Sequence, residues 1–131
     1  MPFTPLHFGP GVLIKAVAPA RFSFTAFVLA NVVIDLEVLY HIVSGDSTLH
    51  GPLHTLIGAT TTGALAGVGL SLLTQASKRV PSIQDAISRL PIELQAELRI
   101  CACVFAGALA GASHAYFDAL IHSDFHPLAP F

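Results

Sequence analysis

His50 and His54 stand four residues apart, as do His114 and Asp118, and Asp118 and His122. On a helix that separation places two side chains on one face a single turn apart, so each pair can aim at one point. Imidazole nitrogens and carboxylate oxygens aimed together are the donors of a divalent metal site. Paired imidazoles suit Zn²⁺, and the added carboxylates also suit Mn²⁺ or Fe²⁺. With His7 and Asp35 the expected ligand set is His7, Asp35, His50, His54, His114 and Asp118, enough for one ion or two. His41 and His126 read as ordinary interfacial histidines. Asp46 and Asp124 read as solvated loop acids or helix caps, and His122 is open between a ligand and an interfacial reading.

The elements that must position these donors are apolar. Hydrophobic residues make up 53% of the 131 and charged residues only 11%, which points to the bilayer as the solvent. Segments 22–43, 55–75 and 98–121 are each long enough to cross a hydrocarbon layer that needs about 20 helical residues. A fourth, 6–17, is apolar but short and carries Gly9, Pro10 and Gly11. The expectation is a single membrane-embedded domain over residues 1–131, an all-α bundle of about four helices. The connector 77–91 carries Ile83, Ala86, Ile87 and Leu90 at helical spacing, which suggests an amphipathic surface helix, with a plain solvated loop as the alternative. Gly63 and Gly67, and Gly107 and Gly111, form small-xxx-small patterns that bring helix backbones close in lipid.

Asp35, Glu37 and Asp118 fall inside these spans, where an ionised carboxylate needs a compensating cation. Lys15, Arg21, Lys78, Arg79, Arg89 and Arg99 all border the first and third connectors. In an up-and-down bundle those connectors share one side, which the excess of Lys and Arg marks as cytoplasmic. The histidines and these acids then gather at the opposite, extracytoplasmic face without a basic residue, and a metal ion supplies the missing charge. On this threading the first segment must cross for His7 to join them.

Several classes are set aside. A net charge of −2 and the absence of a basic run argue against nucleic acid as a partner. Cys101 and Cys103 are two apart and cannot form a CxxC pair. Residues 1–5 show no basic stretch before an apolar core, so no removable signal peptide is expected.

These same positions carry a family resemblance. His50, Gly51, Pro52, Leu53, His54 and Thr55 resemble the HRGxTHS element of the YdjM-type membrane-bound metal-dependent hydrolases. Asp35 and Glu37 resemble its PDxD element, and Ser113, His114 and Asp118 its SHxxxD element before a proline-containing tail at 126–130. An early histidine after a threonine, Thr4 to His7, also fits. The chain departs from the pattern at Gly51, which replaces the arginine, at Glu37, which replaces the second aspartate, and at Ile34, which replaces the proline. His122 stands where many relatives have a small polar residue. The missing arginine removes a cation that could hold an anionic group.

The resemblance implies hydrolysis. The expected mechanism is metal-assisted, with His50, His54, His114 and Asp35 as ligands and His7 or Asp118 completing the site. Glu37 or Asp118 is the expected general base or ligand-orienting carboxylate. An interfacial site favours a lipid or lipid-linked ester or phosphoester as substrate, at the extracytoplasmic face of an inner membrane. The alternatives are a non-catalytic metal scaffold or transporter, or a membrane interaction partner. Transport is disfavoured because 63–73 and 101–112 are almost wholly apolar or small.

Overall fold

The computed structural model describes residues 5–46, 51–121 and 128. A 3₁₀ turn, Pro5–Phe8, leads into α1 (Gly9–Val17). The remaining helices are α2 (Phe24–Ser44), α3 (Leu56–Ser77), α4 (Pro81–Ser88), α5 (Ile92–Glu97) and α6 (Ile100–Ile121). No strand occurs among the described residues.

Helix ends are set by local chemistry. Ser23 caps α2, its hydroxyl accepting from the Ala26 amide at 3.2 Å, which satisfies one of the open donors of the first turn. The other end of α2 stops at Gly45, whose φ of 73° only glycine adopts without cost. The Asp46 amide then closes back on the His41 carbonyl at 3.0 Å. Thr55 caps α3, its hydroxyl accepting from the Gly58 amide at 3.0 Å.

Helices α2, α3 and α6, of 21, 22 and 22 residues, measure about 31–33 Å at 1.5 Å per residue. They are the long apolar helices of the described chain and span a membrane-sized layer. The expected spans 22–43, 55–75 and 98–121 match them to within two residues. Residues such as Leu65, Leu73, Phe105 and Tyr116 are exposed on their outer faces, where lipid rather than water would meet them.

Between α3 and α6 there is almost no side chain. A Cβ on Gly63 would fall on the Gly107 carbonyl, and one on Gly107 on the Gly63 carbonyl. Gly67 faces the Cys103 carbonyl and Gly111 that of Ala59 in the same way. Helix α2 and Phe22 just before it pack on α6, with Phe22, Ala26, Phe27 and Ala30 in one cluster with Cys103, Ala106 and Ala110. Van der Waals contact along such seams is what drives helix association in lipid.

The first segment differs from the expected fourth crossing. At nine residues α1 is about 14 Å long, well short of a hydrocarbon core of about 30 Å. His7 nevertheless joins the histidine cluster, because the 3₁₀ turn extends the segment and Gly11 lets it lie on the Phe27 ring. At the other end Lys15 reaches the buried Glu97 carboxylate with its long side chain and also donates to the Pro19 carbonyl at 2.7 Å. Glu97 accepts from the Phe24 amide at 3.2 Å as well. This polar knot ties α1 and its exit loop to the start of α2 and the end of α5, and it marks the end of the bundle where the Lys and Arg residues collect.

The connector after α3 does form a helix, α4, and none of its residues is buried against the rest of the chain.

Candidate metal centre

Four separate elements deliver side chains to one place at the end of the bundle opposite Lys15 and Glu97. Helix α2 contributes Asn31 and Asp35, one turn apart. The 3₁₀ turn Pro52–His54 before α3 contributes His54, α6 contributes His114 and Asp118, and the 3₁₀ turn before α1 contributes His7. All five ionisable members are buried, from 0% exposure at His114 to 4% at Asp118.

His114 sits at the centre. Its Nε2 lies 3.1 Å from Asp118 Oδ2 and 3.5 Å from Asp35 Oδ1. His54 Nε2 is 3.9 Å from Asp118 Oδ2, and His7 Nε2 is 3.3 Å from Asp118 Oδ1. The rings of His7 and His114 are 4.1 Å apart, and those of His54 and His114 5.3 Å. Ligands bound about 2.0–2.2 Å from one ion lie roughly 3.0–3.5 Å from each other, close to these separations. His7, His114 and Asp118, and likewise Asp35, His54 and His114, form groups whose donor atoms lie within 4.8 Å of one another and could hold a metal ion.

A ring of hydrogen bonds behind the cluster turns the imidazoles the right way. Asn31 Nδ2 donates to the Phe27 carbonyl at 2.9 Å, which leaves its Oδ1 to accept from His114 Nδ1 at 2.9 Å. With the proton assigned to Nδ1, the His114 Nε2 lone pair faces the acids. Glu37 acts on His54 in the same way. Its Oε2 accepts from His54 Nδ1 at 2.9 Å, while its Oε1 accepts from the Leu53 amide at 3.2 Å. Partners of this kind fix the tautomer of a ligating histidine and raise its basicity. Burial holds the His54 imidazole below its ordinary value, against the opposing pull of the Glu37 hydrogen bond. The neutral, metal-binding form is therefore the one favoured.

The arrangement is incomplete as a hydrogen-bonded core. Both nitrogens of His7 and Nε2 of His114 are buried and make no hydrogen bond among the described residues. Leaving a buried polar group unsatisfied costs about 1–3 kcal/mol. Nε2 of His7 and Nε2 of His114 stand 3.3 and 3.1 Å from the Asp118 carboxylate, and a cation shared between these three groups would satisfy both nitrogens.

Of the sequence-derived candidates, His7, Asp35, His54, His114 and Asp118 meet at this point. Glu37 stands one layer behind as the His54 anchor. His41 lies apart, paired through Nδ1 with Asp46 Oδ2 at 2.7 Å on the exposed end of α2, in keeping with the interfacial reading. His50, His122, Asp124 and His126 lie outside the described residues.

Two contributors escaped the sequence reading. Asn31 is neutral, so no charge draws attention to it, yet it stands one turn before Asp35 on the same face, and that i, i+4 relation was the available signal. Gly51 makes room for Glu37: a Cβ there would lie 2.8 Å from the Glu37 carboxyl carbon.

No protein-family model, curated protein or solved structure matches this chain.

Proposed function

We propose that this chain is a membrane-embedded, metal-dependent hydrolase whose centre is built from His7, Asp35, His54, His114 and Asp118. The observation that carries the reading is the pair of anchored imidazoles. Asn31 and Glu37 commit Nδ1 of His114 and His54 outward, which presents each Nε2 toward two buried acids. A divalent ion held there would supply a Lewis acid that polarises the scissile group and brings the pKa of a bound water toward about 7.

The chain's own groups divide the remaining work. Glu37 has both oxygens occupied by His54 and Leu53 and serves as a positioning carboxylate. Asp118 turns one oxygen to His114 and the other to His7. It can therefore hold the ion through one oxygen while the other accepts a proton, the role of a general base. The site lies near one end of three membrane-length helices, which favours a substrate that reaches it from the bilayer, a lipid or lipid-linked ester or phosphoester. The Lys and Arg residues at the other end favour an extracytoplasmic site in an inner membrane. Zinc, manganese or iron fits the donor types.

Complete burial of the five donors also suits a second reading, in which the ion is a structural staple. The two are separated by measurement. Detergent-purified protein is assayed for bound metal and for turnover of ester and phosphodiester probes, beside His54→Ala and Asp118→Ala. Metal together with turnover that both variants abolish is expected. Metal without turnover selects the staple, and unmutated protein that binds no metal ends both readings.

A further inference from the structure

We infer that residues 78–99 form a lipid-binding surface. Helix α4 lies in the headgroup layer at the basic end of the bundle with its apolar face on the acyl chains, and the basic residues around it select anionic phospholipids of that leaflet. The inference stands on the membrane-length helices and on charge, and it is independent of the metal centre.

The position of α4 follows from how it is tethered. Helix α3 ends at Ser77 and α4 begins at Pro81. The link is a tight turn in which the Val80 amide closes on the Ser77 carbonyl at 3.0 Å, so α4 starts directly against the end of α3. Only Leu98 and Arg99 separate α5 from α6. Helices α3 and α6 run antiparallel, since Gly111 meets Ala59 and Gly67 meets Cys103. Residues 78–99 therefore leave and re-enter a membrane-sized pair of helices at one end, where the polar layer outside the hydrocarbon is roughly 5–8 Å deep.

The face of α4 says what covers it. Val80, Ile83, Ile87 and Leu90 recur at steps of three and four and share one side of the segment. The opposite side carries the exposed Arg89–Asp85 ion pair at 2.7 Å. Val80, Ile83 and Leu90 are exposed, as is Ile92 beyond them, and no residue of α4 is buried. A helix of eight residues is marginal in water with nothing to pack on. Acyl chains beneath the apolar side supply that support, as they do for amphipathic helices lying in the interface. Gln95 meets the carbonyls at the far end, donating to Leu90 at 2.8 Å and to Ser88 at 3.2 Å.

Charge selects the lipid. All six basic residues of the chain lie at this end. Lys15 and Arg89 are paired with Glu97 and Asp85. Arg21, Lys78, Arg79 and Arg99 are exposed and make no ion pair among the described residues, which leaves four cations against the single acid Glu93. An anionic membrane surface attracts each such residue by about fivefold in affinity. A protein partner would have to displace lipid that the tethered helix already meets.

The chain contains no tryptophan, so Ile83→Trp places a single fluorescent reporter on the apolar side, with Ile92→Trp as a second. The full chain carrying either is reconstituted in vesicles of phosphatidylcholine and phosphatidylglycerol. Quenching by bromine on the acyl chains of one lipid or the other is compared at equal mole fraction. Blue-shifted emission is expected, quenched by both brominated lipids, with phosphatidylglycerol preferred by at least about fivefold. The preference should fall at high salt and vanish in Lys78→Gln/Arg79→Gln/Arg99→Gln, whose exposed sites leave the helices folded by circular dichroism. Emission of a water-exposed indole beyond the reach of bromine would overturn the inference, as would equal quenching by the two lipids. A blue-shifted reporter that bromine does not reach would overturn it too, showing that a second copy or another protein covers the face. None of these results bears on metal binding, so failure here leaves the hydrolase reading standing.

Discussion

Asn31→Leu isolates the anchoring hydrogen bond from the ligands. Leucine keeps the forked skeleton of asparagine, with bulkier methyl ends, and is at home on an apolar helix face, so the change removes the His114 Nδ1 acceptor without replacing any of the buried ionisable groups. The Phe27 carbonyl that Asn31 bonds lies one turn back in the same helix and keeps its backbone partner. His114 Nδ1 does not. Left buried with its hydrogen unmatched, it costs about 1–3 kcal/mol, and the ring is free to move its proton to Nε2, the tautomer that cannot ligate. Loss of such an outer partner weakens metal binding about 10–100-fold, or about 1.4–2.8 kcal/mol at 1.4 kcal/mol per decade. Competition against a chelating dye in detergent measures this directly, with circular dichroism to confirm that helix content is unchanged. Binding within about threefold of the unmutated protein in a folded variant would refute the claim that Asn31 sets the His114 tautomer.

Three further outcomes are expected. Gly107→Ala drives a methyl group onto the Gly63 carbonyl, and overpacking of this kind costs about 1–3 kcal/mol; thermal unfolding in detergent should shift down, while Gly69→Ala, where nothing lies within 4 Å, should leave it in place. His54 has its folded-state value lowered by burial from an ordinary 6.5, so below that value the unfolded chain takes up the proton more readily than the folded one. Its contribution to the stability of metal-free protein is then present above pH 6.5 and lost as pH falls through the lowered value, and a pH series of unfolding midpoints should flatten on that limb in His54→Gln. Lys15→Met strands Glu97 as a buried charge and should destabilise by up to about 3 kcal/mol, with Lys15→Met/Glu97→Gln recovering most of the loss because the pair is removed together; equal instability of both variants in a denaturation series would contradict this.

Much of the fold was readable in advance because length and hydropathy alone mark a helix as membrane-sized. The ends shifted by two residues at most, with caps at Ser23 and Thr55 setting the starts of α2 and α3. The i, i+4 relation of His114 and Asp118 was likewise readable, since helical geometry fixes it locally. What the sequence could not show is contact between distant elements. Lys15 and Glu97 are 82 residues apart, and nothing local in either says that they meet. His7 joins the cluster as expected, but the crossing that was to carry it there does not occur: counting crossings treats each segment as a rod, whereas a 3₁₀ turn and a lysine side chain together let a short helix touch both ends. Glu37 showed as an intramembrane acid, but whether it would face the ion or stand behind His54 depended on the 3₁₀ turn Pro52–His54 and on the gap left by Gly51.

The glycine seam between α3 and α6 has a mechanical meaning for the centre. Where backbones touch, no side-chain rotamers remain between them to absorb a displacement, so these two helices tilt as one body. The spacing of His54 and His114 is thereby guarded by peptide geometry. Asp35 is held differently, because α2 meets α6 through the side chains of alanines and phenylalanines rather than backbone on backbone. A thinner or more curved bilayer would therefore be felt first as a change in the reach of Asp35, with the two imidazoles keeping their grip.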